Sequence, residues 1–191
     1  MAMTKRELFQ DKALNLIHQK GFKAMTMREL AVEMSCDIKN LYNYTSSKDA
    51  LLLELLEGVS DDFHRGINSI VSSSLSAKQQ IQELIRLHVT LSFEKPLKVG
   101  LLINEYRNLP EPHYTTFISN RDKYEGLVAS IITRGINESE FRPLNVFIAT
   151  QSILGSLRWQ YDYYHQNNPN LNAYDIVEEL VSLILPGLLA R

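Results

Sequence analysis

Residues 21–51, GFKAMTMRELAVEMSCDIKNLYNYTSSKDAL, decide how this chain reads. Thr26 is placed to cap a helix, on which Met27, Leu30, Ala31 and Met34 share one side. Ser35-Cys36-Asp37 makes a turn, with Asp37 as the expected N-cap of a short helix over 38–44. Thr45-Ser46-Ser47 breaks that helix, and Ser47 caps a long one carrying Leu51, Leu52, Leu55, Leu56 and Val59. Two short helices across a tight turn, followed at once by a third, form a helix-turn-helix, which presents its second helix to the DNA major groove.

The side chains of 38–44, IKNLYNY, fit that use. Ile38 and Leu41 face inward, which turns Lys39, Asn40, Tyr42, Asn43 and Tyr44 outward. Lys and Asn suit base edges, and tyrosine hydroxyls suit phosphates. Thr26 and Arg28 open the preceding helix, whose first amides can hold a phosphate. Lys48 starts the next helix near the same surface. Each residue taken singly reads as part of a solvated helix face. Their spacing around two capped helices favours DNA contact.

Helical periodicity continues in both directions. Upstream, Phe9, Ala13, Leu16 and Ile17 form a stripe that Gly21 stops. Downstream, Ser72-Ser73-Ser74 ends the long helix, and helices are expected over about 77–94, 96–109, 113–137, 144–166 and 173–189. Asn167-Asn168-Pro169-Asn170 reads as a loop. Sustained period-2 alternation is absent, so the expected class is all-α, without strands. The expected division is a head over 1–47 and a body over 48–191, with the long helix reaching into both.

Composition narrows the function. The 191 residues are 45% hydrophobic, enough for one or two small cores. There is no run of about eighteen apolar residues, so no membrane partner is expected. MAMTKRELFQDKAL lacks an apolar signal core, and the single cysteine, Cys36, suits a reducing compartment; both point to the cytoplasm. The net charge of −2 argues against a general polyanion binder. Residues 1–48 nevertheless hold eight Lys/Arg against five Asp/Glu, whereas the remainder is acidic. His64, His88 and His113 have no zinc-helix spacing, and no metal or cofactor site is expected. No GxSxG, HExxH, phosphate-loop or GxGxxG motif occurs, and Asp61-Asp62 and Glu178-Glu179 point to different helix faces. An enzyme is not expected.

Residues 9–52 resemble the DNA-binding domain of tetracycline-repressor-type (TetR family) transcription regulators. The matching positions are Ala13, Leu16, Ile17, Gly21-Phe22, Thr26, Met27, Leu30, Ala31, Leu41-Tyr42-x-Tyr44 and Ser47-Lys48-Asp49-x-Leu51. Ser35 stands at the family's turn glycine, Cys36 at its turn hydrophobe and Thr45 at the aromatic after the recognition helix. The resemblance implies a homodimer of about nine helices per chain, a palindrome-like double-stranded DNA operator, a small-molecule pocket in the body and a four-helix dimer bundle from the last two helices.

The body agrees with a dimer surface. Val146, Ile148, Ala149, Ile153, Leu154, Leu157 and Tyr161 form one apolar face, and Ile176, Val177, Leu180, Val181, Ile184 and Leu185 another. Residues 121–164 further resemble regulators of fatty-acid, steroid or aromatic-acid degradation that respond to acyl-CoA thioesters. The carrying pattern is Arg121-x-x-Tyr124-Glu125, Ile131-Ile132-x-x-Gly135-Ile136, Glu140-Phe141-Arg142, Ile153-Leu154-Gly155, Trp159 and Tyr163-Tyr164. An acyl-CoA site needs an apolar slot and cations for phosphate. Leu87, Leu91, Leu102, Tyr106, Phe117 and Tyr124 are candidates for the slot, beside Trp159, with Arg107, Arg121, Lys123 and Arg158 for phosphate. A DNA-binding regulator without a small ligand and a helical interaction protein remain open alternatives.

Overall fold

The computed structural model of the chain describes residues 3–165 and 172–190. Among these, the elements are α1 (Lys5–Lys20), α2 (Met27–Glu33), α3 (Ile38–Leu41), α4 (Lys48–Val71), α5 (Ala77–Glu94), α6 (Pro96–Asn104), a 3₁₀ turn (Tyr106–Asn108), α7 (His113–Asn137), α8 (Val146–Ser156), α9 (Gln160–His165) and α10 (Ala173–Leu188). The one extended pairing among the described residues is an isolated antiparallel bridge, Phe141 to Leu189, and the all-α class holds. The expected 167–170 loop lies outside the described residues.

Two compact units form. The first, the head, holds the chain up to Ser60 together with Leu97–Phe117. Its helices start and stop where local chemistry dictates. Thr26 accepts from the Glu29 amide at 3.2 Å while the Glu29 carboxylate accepts from the Thr26 amide at 2.9 Å, closing a reciprocal box at the start of α2. Gly21, at φ 79°, ends α1 with its amide on the Ile17 carbonyl. Ser35 takes φ 49° in the turn, a left-handed conformation that costs a non-glycine residue about 1 kcal/mol. Cys36 is half-buried there, and its amide donates to the Ala31 carbonyl at 3.0 Å.

Asp37 is extended as an N-cap should be, but its side chain makes no capping bond. The expected cap is therefore backbone geometry alone. α3 is also shorter than expected: it closes at Leu41, and the chain turns through Tyr44, whose amide donates to the Leu41 carbonyl at 3.0 Å. Ser47 does cap α4, accepting from the Ala50 amide at 3.0 Å. The head's core is Phe9, Ala13, Leu16, Ile17, Phe22, Met25, Leu30, Leu41 and the α4 row Leu51, Leu52, Leu55 and Leu56, joined by Leu101 and Leu109. Full burial of each large member contributes about 1.5–3 kcal/mol.

The second unit, the body, holds Asp61–Pro96 and the chain from Ile118 onward. Glu140 anchors it: its two carboxylate oxygens accept from the amides of Ala77 and Lys78, each at 3.0 Å, at the start of α5. Nearby, the Arg134 guanidinium donates to the Gln80 side chain at 2.6 Å and to the Leu75 carbonyl at 3.2 Å. Gly135 has no room for a side chain, because a Cβ there would lie 2.3 Å from the Phe141 ring. The helix expected over 144–166 is two helices. A turn at 157–159 separates α8 from α9, with the Leu157 and Arg158 amides bonding three residues back at 3.3 Å.

Candidate functional site

In the head, α2 and α3 set the side chains expected to meet DNA. Arg28, Lys39, Asn40, Tyr42 and Asn43 are exposed, with Tyr42 at 50%. Among the described residues none of their side chains has a hydrogen bond or ion pair within the protein. Other head cations are committed: Arg6 to Glu54 at 2.7 Å, Lys12 to Glu33 at 3.4 Å and Lys20 to Glu29 at 2.6 Å. Lys20 is the main reason the Glu29 carboxyl is held down at about 2, with the Thr26 amide and hydroxyl adding to it. A permanently ionised Glu29 at the first turn of α2 keeps the capping box closed at neutral pH.

Three expected contact residues are engaged internally. Thr26 is exposed but serves the capping box. The Lys48 ammonium donates to the Lys23 carbonyl at 3.1 Å and sits 4.5 Å from the Phe22 ring centroid. Tyr44 differs most from expectation. Its ring stacks on Phe9 at 5.1 Å and 19°, so it packs against the head's core instead of standing outward. The early end of α3 swings it there. Thr45, at the family's aromatic position, is buried at 8% exposure and donates to the Ser47 carbonyl at 2.9 Å.

The residues expected around an effector divide between the units. Leu102, Tyr106, Arg107 and Phe117 belong to the head unit, and Leu87, Leu91, Arg121, Lys123, Tyr124, Arg158 and Trp159 to the body. In the head unit, Tyr106 stacks on Phe117 at 5.3 Å and Arg107 donates to the Tyr106 hydroxyl at 3.2 Å. Leu102 is half-buried against the same core. In the body, Leu91 is buried and Leu87 half-buried, filling the space a Cβ at Gly66 would need. Arg121 is exposed and near Glu125 at 3.8 Å and Asp122 at 3.6 Å, so its charge is already met by carboxylates. Arg158 and Trp159 are exposed.

Beside these lies a polar pair. The Tyr124 hydroxyl and His88 Nε2 are 2.9 Å apart, with Phe63 4.9 Å from the imidazole centroid and His64 5.6 Å from the Tyr124 ring. Enclosure pushes the His88 imidazolium down to about 3, helped by the positive charge of Arg158, and keeps the Tyr124 phenol protonated. On α9, Gln160 is fully buried, and Tyr163 and Tyr164 follow on the same side. Tyr163 and Tyr164 carried the narrower resemblance, but Gln160 was missed. A lone glutamine next to an exposed Trp reads as surface, and only packing reveals its burial.

Among the described residues, no helix is long and apolar enough to cross a membrane, and no group of three or more His, Cys, Asp or Glu is placed to hold a metal ion. What the geometry defines is a helix-turn-helix head with uncommitted polar side chains and a helical body with buried polar ones. Residues 5–55 match the family model for bacterial regulatory proteins of the tetR family, and residues 74–188 match the tetracyclin repressor-like C-terminal domain. The chain belongs to the TetR family of DNA-binding transcription regulators, and is not an enzyme.

Individual relatives are distant. The chain is 22% identical over 180 residues to the HTH-type transcriptional repressor KstR2 of Rhodococcus jostii strain RHA1, covering 93% of this chain and 88% of that protein. The structure of the ketosteroid transcriptional regulator KstR2 of Mycobacterium tuberculosis superposes with a TM-score of 0.92 at 21% identity, covering 100% of this chain and 98% of that one. The crystal structure of AibR in complex with isovaleryl coenzyme A and operator DNA gives 0.84 at 18% identity, covering 96% and 99%. At these identities the structural likenesses establish the fold.

Proposed function

We propose that the chain is a cytoplasmic, homodimeric repressor that leaves a two-fold-symmetric operator when its body binds an acyl-CoA thioester. In this reading residues 1–47 contact DNA, and residues 48–191 bind the effector and form the dimer. One observation carries the DNA half: Arg28 on α2, Lys39 and Asn40 on α3, and Tyr42 and Asn43 in the turn that follows stand exposed with no internal partner among the described residues. Arg28 and Lys39 neutralise phosphates, Asn40 and Asn43 read base edges, and Tyr42 bonds the backbone. The Thr26 box fixes the pitch of α2, Lys48 ties α4 to the loop at Lys23, and Tyr44 locks the end of α3 onto the core.

Dimerisation through α8 and α10 is supported by four exposed apolar groups, of which Ile148 alone was among the residues expected. Ala149, Ile153, Leu154, Leu157, Ile176, Val177, Leu180 and Leu185 are buried within the protomer. The apolar groups left outside are Phe147 (71% exposed), Ile148 (60%), Tyr174 (71%) and Leu183 (73%). Ile148 shares its stripe with exposed Ser152 and Gly155, small residues that admit a close helix. The effector class is supported by the relatives, one named a repressor and one bound to isovaleryl coenzyme A with operator DNA. α4 is one continuous helix with residues in both units, giving a covalent route from effector to head.

The test is fluorescence anisotropy on the chain's own promoter DNA with a panel of acyl-CoA thioesters, their free acids and coenzyme A. The expected result is that one thioester weakens DNA binding roughly 5–150-fold, a coupling of about 1–3 kcal/mol, while its free acid does not. A thioester that binds the protein and leaves DNA affinity unchanged contradicts the reading.

A further inference from the structure

Gln160 on α9 is 0% exposed, and neither its Nε2 nor its Oε1 has a hydrogen-bond partner among the described residues. The same holds for the hydroxyls of Tyr163 and Tyr164, both shut off from solvent. These residues sit at i, i+3 and i+4, one face of one helical turn. α9 packs on α5, where Phe93 meets the Tyr164 ring edge-on at 5.2 Å, and Tyr163 meets Tyr164 at 5.6 Å. Buried polar atoms in folded proteins are nearly always paired. Four orphans on a single turn mark a surface shaped for something other than the protein itself.

Their chemistry is specific. Gln160 offers two N–H donors and a carbonyl acceptor, and each phenol can donate or accept. A carboxylate satisfies the Gln160 N–H groups but sets its carbonyl against a like-signed oxygen. An ammonium does the reverse. An amide matches both atoms at once, carbonyl to N–H and N–H to carbonyl. Burial pushes the Tyr164 phenol up to about 12, so its hydroxyl stays protonated and can donate or accept.

We infer that this face of α9 recognises an uncharged amide in a small molecule, with Gln160 pairing reciprocally to the amide and the Tyr163 and Tyr164 hydroxyls holding an adjoining carbonyl or hydroxyl. The assignment rests on the acyl-CoA reading above and deepens it. The pantetheine arm of such a thioester carries two secondary amides, so α9 grips the arm, not the acyl chain or the phosphates.

Two readouts on the full chain, stripped of ligand by refolding from urea, decide the matter. The first is the Tm of Gln160→Leu and Tyr164→Phe. A recognition site leaves the ligand-free protein with unmet polar atoms, so both variants gain roughly 2–4 °C. A Tm that falls in both overturns the site, because it shows the polar atoms serve the fold. The second is titration of Trp159 fluorescence with octanoyl-CoA, S-octanoyl-N-acetylcysteamine, which keeps one amide, and S-ethyl thiooctanoate, which has none. The wild type should bind the amide-bearing probes at least tenfold more tightly than the ethyl thioester, and Gln160→Leu should erase that preference. Equal affinity for all three in the wild type overturns the amide assignment. If no thioester binds while both variants are stabilised, the acyl-CoA reading falls and the amide site stands, its guest then being an amide from another source.

Discussion

The head and the body keep their uncommitted polar groups in opposite places. In the head, Arg28, Lys39, Asn40, Tyr42 and Asn43 are exposed above a core of Phe9, Leu30, Leu41 and the α4 leucines. In the body, Gln160, Tyr163 and Tyr164 turn unmet polar atoms inward, while Phe147, Ile148, Tyr174 and Leu183 stay outside. A partner as large and charged as DNA must be met from outside, by side chains that exchange water for phosphate and base. A small effector can be enclosed, so its recognition groups wait in the interior at a cost to stability. Apolar groups left on the outside suit a second copy of the chain.

The largest effect expected is on the head's own stability. Phe9→Ala removes the ring that fills the core and carries Tyr44, and should cost about 3–5 kcal/mol in urea unfolding. A loss below about 1 kcal/mol would mean the head is not held by this core. Next, Lys39→Ala with Tyr42→Ala should weaken operator binding roughly 100-fold while circular dichroism and Tm stay put, because both side chains lack internal partners among the described residues. An unchanged affinity would strip the head of its assigned role.

The body has its own signature in pH. His88 is neutral in the folded protein, held down to about 3 against 6.5 when unfolded. Between those values the unfolded chain binds the extra proton, so stability falls as pH drops from about 6.5 toward 3, by up to about 1.4 kcal/mol per unit. His88→Phe should flatten this slope between about pH 5.5 and 7, where the carboxylates contribute little. A slope identical to wild type would show that His88 is already protonated or solvated when folded. The smallest effect is at the turn. Ser35→Gly relieves the φ 49° conformation and should add about 1 kcal/mol at most, with DNA affinity intact.

Which features were legible follows the same division. Caps and stops are local, so Thr26, Ser47 and Gly21 announced the helices of the head and the structure uses them as written. The family's spacing pattern was equally local, and so was the class. Tyr44 was misread because its direction depends on where α3 ends, which tertiary packing against Phe9 sets. The break at 157–159 was hidden for a similar reason. Gly155-Ser156 is a weak helical pair, but nothing in sequence says the chain will turn there. The stripes of α8 and α10 showed periodicity without showing which side already had a partner, so most of the residues assigned to the dimer are buried in the body, and Ile148 stays exposed. Gln160 was invisible, because polarity in a sequence suggests solvent until burial is seen.

The most direct test of the whole account is selection of DNA from a random-sequence pool by the wild-type chain and by the Lys39→Ala, Tyr42→Ala variant at equal protein and salt. The account predicts that the wild type enriches a two-fold-symmetric sequence and that the folded variant enriches none. No enrichment by the wild type, or the same sequence enriched by both, would contradict it.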